Sequence, residues 1–203
     1  MTAEQDWDSR YAGEQVFSGR ANTALTRHVA SLTPGSALDL GCGEGGDALW
    51  LAEAGWQVTA VDLSREALRR AERTAAERGL AGRIAFRHCD LSTEFPDGVF
   101  DLVSAQFLHS QHEFPRDRIL RTAAAHVADG GVLLIEGHAD IPAWAGDHGA
   151  VDLPSAAELH RRLDLGPGWQ VLVRGEHERH QYGPDGAFLG ERTDSTLMLR
   201  RTG

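Results

Sequence analysis

The sequence predicts an α/β fold in which a parallel sheet is covered by helices on both faces. Three observations carry that expectation. From Ala37 to Glu136, short apolar runs alternate with helical patterns, the rhythm of repeated strand–helix–strand units. A glycine-rich turn, Gly41 to Gly46, stands between the first of these strands and the helix after it. An acid, Asp62, ends the next strand 21 residues beyond Gly41, close to the ~20 expected when a carboxylate holds the hydroxyls of a ribose.

Each element has a local reason. Leu25, Val29 and Leu32 share one face of a helix over 20–32, which Pro34-Gly35 stops. The first strand is 37–40, and the helix after the glycine turn runs to Ala54 and ends at Gly55. A second strand spans 57–61; Ser64 then caps a helix that reaches Arg78 and ends at Gly79. Strands three and four are 84–87 and 100–104. Ile119, Ala123 and Val127 mark a helix over 116–127, broken by Gly130-Gly131. Strand five, 132–136, is the most continuous apolar run and belongs near the sheet centre. Residues 137–153 read as an irregular loop of the kind that closes or lines a binding site. A helix over 155–163 follows, then two short strands, 169–174 and 195–200, expected to pair antiparallel at the sheet edge across Gly183-Pro184-Asp185-Gly186.

Composition narrows the function. The chain has 203 residues, 41% hydrophobic and 25% charged, which suits one soluble domain. A net charge of −10 disfavours a phosphate backbone as partner, so no nucleic acid is expected. No apolar stretch approaches the ~18 residues of a spanning helix, and the polar, acidic N-terminus does not read as a signal peptide. Cys42 and Cys89 are too few for a disulfide scaffold. The expectation is a cytoplasmic protein without membrane contact, a monomer or a homodimer.

The glycine turn, Leu38-Asp39-Leu40-Gly41-Cys42-Gly43-Glu44-Gly45-Gly46, lets a ligand press against bare main chain. By itself the turn admits NAD, FAD or S-adenosylmethionine. Asp39 and Glu44 put carboxylates in or beside the loop, where a pyrophosphate is repelled and a sulfonium with a free amino group is welcome.

At this point the sequence resembles the class I S-adenosylmethionine-dependent methyltransferases. Asp39 to Gly45 is similar to their first motif, Val61-Asp62-Leu63-Ser64 to the second, and His88-Cys89-Asp90-Leu91 to the third, whose Asp faces the adenine amino group. Phe100 to Ala105 and Gly130 to Ile135 resemble the fourth motif and the turn and strand that follow. The resemblance implies a Rossmann-like seven-stranded sheet of order 3-2-1-4-5-7-6, strand seven antiparallel. A narrower resemblance joins Trp7-Asp8-Ser9-Arg10-Tyr11 to the opening of the small tellurite-resistance and thiopurine methyltransferases, where this segment folds over the cofactor. Ser18 to Asn22 resembles the motif after it, with Phe17 in place of a Trp. The organisation implied is a single domain over 1–203: a helical lid segment over 1–35, a cofactor-binding core over 36–137, and an acceptor loop, helix and edge strands over 138–203. The cofactor, S-adenosylmethionine leaving as S-adenosylhomocysteine, is expected on Trp7, Tyr11, Asp39, Gly41, Cys42, Gly43, Asp62, Leu63, Asp90, Leu91 and Ala105.

Methyl transfer is an in-line displacement, so the acceptor belongs just after strand four, at the carboxyl edge of the sheet. There Gln106 can orient an acceptor, Phe107 can wall it, and His109 is the first candidate base, with Tyr11 the second. Trp144 offers a stacking face in the 137–153 loop. His109 and His112, with His138 or His148, lack the fixed spacing of a metal site, and none is expected. His177 and His180 read as solvated. The acceptor is expected to be a small molecule, with a thiol or other chalcogen favoured by the narrower resemblance. An O- or N-methyltransferase of a secondary metabolite and a non-catalytic cofactor-binding protein are the alternatives. Asp62→Ala should weaken S-adenosylmethionine binding by about 1.5–3 kcal/mol while the fold survives, since it removes hydrogen bonds to a charged group. An unchanged dissociation constant would refute its role.

Overall fold

The computed structural model describes residues 2–13, 18–110, 112, 114–142, 152–182 and 187–203. Helix α1 (Ala3–Tyr11) is started by a capping box between Thr2 and Gln5, and α2 (Thr23–Val29) buries Leu25 and Val29. The alternating units follow: β1 (Ser36–Leu40), α3 (Gly46–Glu53), β2 (Gln57–Asp62), α4 (Arg65–Glu77), β3 (Ile84–His88), β4 (Phe100–Gln106), α5 (Arg116–Ala125) and β5 (Val127–His138). The chain then forms α6 (Ala156–Leu163), β6 (Trp169–Tyr182) and β7 (Phe188–Arg201). Strand order is β3-β2-β1-β4-β5-β7-β6, with β7 antiparallel to both neighbours, as the resemblance implies. Among the described residues no helix is long and apolar enough to cross a membrane.

Side-chain alternation along the strands sends neighbours to opposite faces and builds two cores. On one face Val58, Ala60, Leu102, Val132 and Leu134 pack under α3 and α4 around the buried Trp56. On the other, Leu38, Leu40, Val103, Leu133 and Ile135 pack under α5 and α6. Parallel strands covered on both faces are apolar nearly throughout, which is why β1, β4 and β5 read as continuous runs.

The opening segment forms helix α1, inside the segment expected to be helical. Three strands differ from expectation. Strand β5 starts at Val127, because Phe100 pairs with Val127 before a register shift, and Gly130 (φ +80°) lies in that irregular stretch. Strands β6 and β7 are 14 residues each instead of the short pieces expected, and their extensions pair from Gly175↔Thr196 to Tyr182↔Phe188. The expected hairpin turn 183–186, Phe17, Trp144, His148 and most of the 137–153 loop lie outside the described residues.

Gly45, the N-cap of α3, adopts φ +83°, and a Cβ there would stand 2.8 Å from the Cβ of Ala71 on α4. Gly45→Ala should therefore cost about 1–3 kcal/mol through left-handed strain and overpacking. The measurement is a lower urea midpoint with an unchanged slope.

Candidate active site

The chain leaves β1 through three left-handed glycines, Gly41 (φ +69°), Gly43 (φ +52°) and Gly45. These torsions come readily only to glycine. The N–H groups of Gly41 and Cys42 donate to the Val61 carbonyl at 2.9 and 3.0 Å, tying the turn to β2. At the end of β2, Asp62 accepts from the Gly43 and Ser64 N–H groups, each at 2.8 Å. The turn forms one wall of a cavity of about 1150 Å³ at the carboxyl edge of the sheet.

Carboxylates crowd this turn. Asp39 is 2% exposed and Asp47, in the first turn of α3, 6%. Burial pushes Asp39, Asp47 and Asp62 above the usual carboxylate range, and for Asp39 the charges of Asp47 and Asp62 add to it. Asn22 partly relieves Asp47, donating from its N–H at 2.6 Å and from Nδ2 at 2.8 Å. Asp39 Oδ2 is buried with no hydrogen-bond partner among the described residues. Such a donor set suits a cationic ligand and opposes a pyrophosphate, so the residues present fit S-adenosylmethionine.

Helix α1 covers this half of the cavity. Asp8 Oδ1 accepts from Ser64 Oγ at 2.6 Å and from the Glu66 N–H at 3.1 Å, so it supplements the cap of α4. Trp7 and Tyr11 stack at 6.1 Å, and a Cβ built on Gly43 would come 3.1 Å from the Tyr11 hydroxyl. Burial, then the charges of Asp62 and Glu44, push that hydroxyl above its ordinary range. A hydroxyl so hard to ionise is poorly suited to act as a base.

Of the cofactor residues expected, Trp7, Tyr11, Gly41, Cys42, Gly43, Asp62, Leu63, Asp90 and Leu91 line the cavity. Two do not. Ala105 is fully buried in the core under α5 and α6, because its neighbour Gln106 takes the cavity side of β4. Asp39 is buried and is not among the residues that line the cavity. Among the catalytic candidates, Gln106 lines the cavity, with Nε2 donating to Ser104 Oγ at 3.0 Å and Oε1 unpartnered among the described residues. His109 lines it too, but burial and then the Arg116 guanidinium push it down to about 3, and its Nε2 accepts the His138 N–H at 3.4 Å. A ring so weakly basic is unsuited to take a proton.

The opposite wall was not foreseen. It is one face of β5, β7 and β6, whose registers align His138 with Asp194 and Asp194 with His177. Glu136, 1% exposed, accepts from Thr196 Oγ1 at 2.6 Å and stands 3.3 Å from His177 Nε2. His177, Arg179 and Gln181 face the cavity, whereas Glu176 on the other face accepts from the Ala156 N–H at the start of α6. The expectation that His177 is solvated is thereby corrected. Among the described residues, Glu136, His177 and Asp194 alone bring three possible ligand atoms within 4.8 Å of one another. Arg179 Nε, 2.5 Å from Asp194, supplies the positive charge there, and the group reads as an ion-pair cluster. His112 instead pairs with Asp6 at 3.3 Å.

Burial raises Glu136 from its ordinary 4.5 to about 7, with Asp194 adding to the rise and Thr196, Arg179 and Arg27 opposing it. The unfolded carboxyl releases its proton near 4.5 and the folded one near 7, so this group's contribution to stability falls as pH rises between them. Glu136→Gln should raise the melting temperature at pH 8 by several degrees and change it little at pH 5; ionising such a buried carboxyl costs roughly 3 kcal/mol. Equal effects at both pH values would contradict the assignment.

The chain is similar to known methyltransferases in sequence and in fold. Residues 37–131 match the family described as "Methyltransferase domain". Two curated relatives are each 33% identical. One is a ribosomal RNA small subunit methyltransferase C of Alcanivorax borkumensis, over 54% of this chain and 34% of its own length. The other is the 27-O-demethylrifamycin SV methyltransferase of Amycolatopsis mediterranei, over 86% of this chain and 62% of its own. The chain thus spans less than two thirds of either. A solved structure concerned with conversion of a disulfide bond into a thioacetal group during echinomycin biosynthesis is 26% identical, with TM-score 0.72, covering 98% of this chain and 92% of that one. TehB from Haemophilus influenzae, 18% identical with TM-score 0.73 over 98% of this chain and 67% of its own, shares the fold. Residues 37–131 match the methyltransferase-domain family, and the chain carries the class I S-adenosylmethionine-dependent methyltransferase fold.

Proposed function

We propose that this chain transfers a methyl group from S-adenosylmethionine to a small molecule held in the cavity. The observation that carries the reading is the crowd of buried carboxylates around the left-handed glycine turn, a surrounding that favours a sulfonium. In this reading Asp62 holds the ribose, Asp90 and Leu91 meet the adenine, and Gln106 and Phe107 border the reacting methyl; that all five line one cavity supports it. The bound cofactor supplies the electrophilic methyl; the chain contributes orientation and exclusion of water.

A small acceptor is supported by the enclosing walls, α1 on one side and the β6–β7 hairpin on the other, and by the relative that is named for a rifamycin. The relatives named for ribosomal RNA and transfer RNA make nucleic acid the second reading, which the net charge of −10 opposes. Calorimetry tests the first step: S-adenosylhomocysteine should bind and NADH should not. A screen of thiols, phenols and amines for S-adenosylhomocysteine formation tests the second.

In this reading residues 1–35 act as a lid. Deleting residues 1–18 should leave a folded core that binds S-adenosylhomocysteine weakly and loses turnover further than affinity, because Trp7 and Tyr11 no longer exclude water. Full turnover per folded molecule would remove the lid.

A further inference from the structure

We propose that His138, oriented by Asp194, takes a proton from the methyl acceptor, and that the acceptor is a hydroxyl compound whose oxygen arrives protonated. The proposal rests on the methyl-transfer reading above and adds the acceptor's class and a catalytic residue to it.

The argument starts from cross-strand register. His138 is the last residue of β5 and stands directly opposite Asp194 on β7. Its Nδ1 lies 2.8 Å from Asp194 Oδ1. Asp194 is fully buried and is anchored by Arg179, whose Nε donates to Oδ2 at 2.5 Å, with Arg192 Nε 3.8 Å from Oδ1. Burial pulls this carboxyl up, yet the hydrogen bonds from His138 and Arg179 hold it below its ordinary range, so it stays ionised. An ionised carboxylate accepts, which fixes the proton of a neutral His138 on Nδ1 and leaves the lone pair on Nε2. No described residue takes Nε2, and the ring lines the cavity.

The ring is held in place. Phe107 packs against it at 4.6 Å and His109 at 5.5 Å, both from the segment leaving β4. Phe107 itself adopts φ +52°, a conformation unusual for a bulky residue, and such strain persists where surrounding structure imposes it. His138 therefore stands beside the β4 exit, where the reacting methyl is expected, while His109 is too weakly basic for the task.

This arrangement decides the class of acceptor. A thiol is already partly thiolate near neutral pH and needs little help. A phenolic or alcoholic hydroxyl does need it, because its proton must leave as the new bond forms. The oxygen lone pair forms the O–CH3 bond and the S–CH3 bond breaks. Its electron pair stays on sulfur to give S-adenosylhomocysteine, and the hydroxyl proton passes to His138 Nε2. The imidazolium is balanced by Asp194 until the proton leaves to solvent.

The test compares 4-methylphenol, protonated at about pH 8, with 4-nitrophenol, largely ionised there, and with thiophenol. General-base loss should separate the phenols: His138→Asn should slow turnover of 4-methylphenol by about 100-fold or more and that of 4-nitrophenol by only a few-fold. His138→Gln serves as the second variant, and unchanged S-adenosylhomocysteine binding confirms that each is folded. Equal loss on both phenols, no loss on either, or wild-type turnover confined to thiophenol or absent on all three overturns the proposal. Independently of any acceptor, nitrogen-15 NMR of the wild-type protein should find neutral His138 protonated on Nδ1; protonation on Nε2 overturns it. Failure of the wild-type protein to bind S-adenosylhomocysteine would instead sink the methyl-transfer reading itself.

Discussion

Burying Asp39, Asp47 and Asp62 around one turn of chain costs free energy that the fold recovers only in part. Asn22 and the backbone N–H groups of Gly43 and Ser64 satisfy some of their oxygens, and Asp39 Oδ2 has no such partner among the described residues. Much else is arranged around this tension. The left-handed glycines bring main-chain donors to Asp62; the segment before α2 is held against α3 by Asn22; α1 is held over the turn by Asp8 at the start of α4. A cation entering the cavity would relieve the same tension, so the energy held in these acids becomes binding selectivity.

The two halves of the cavity solve different physical problems. The turn half is acidic and made of main chain, fit to hold a charged, flexible ligand. The hairpin half is a three-stranded face carrying acids, histidines and arginines. Val132 and Leu134 on β5 belong to the apolar core, and the next residues on the same face, Glu136 and His138, line the cavity. One strand thus passes from core to site with unbroken pairing to β7, and the packing that fixes its apolar end also fixes its polar end.

This continuity explains what could be read from the sequence. Strands β1 to β5 and the glycine turn were legible because apolar periodicity and glycine spacing are local signals. Asp62 could be singled out from its place at a strand end and Gly43 from the glycine spacing, whereas Asp90 was singled out only through the family resemblance. The face of Ala105 was not legible because it depends on register, which a single strand does not display; a shift of one residue exchanges Ala105 for Gln106. The extensions of β6 and β7 were hidden because their alternation is of charge, as in His177, Arg179 and Gln181 against Glu176 and Glu178, and charged stretches resemble solvated loops. Asp194 and His138 are 56 positions apart, and only the antiparallel pairing makes them neighbours.

The antiparallel insertion of β7 between β5 and β6 leaves the final hairpin at the margin of the sheet. Adding a pair of residues to each of its strands would extend the wall by about 6.6–6.8 Å while leaving the His138–Asp194 pairing unchanged. The glycine turn lies across β4 and β5 from that margin and would feel nothing. Descendants of such a chain could therefore diversify in the molecules they accommodate by tinkering with one terminal ribbon, the grip on the methyl donor being inherited intact.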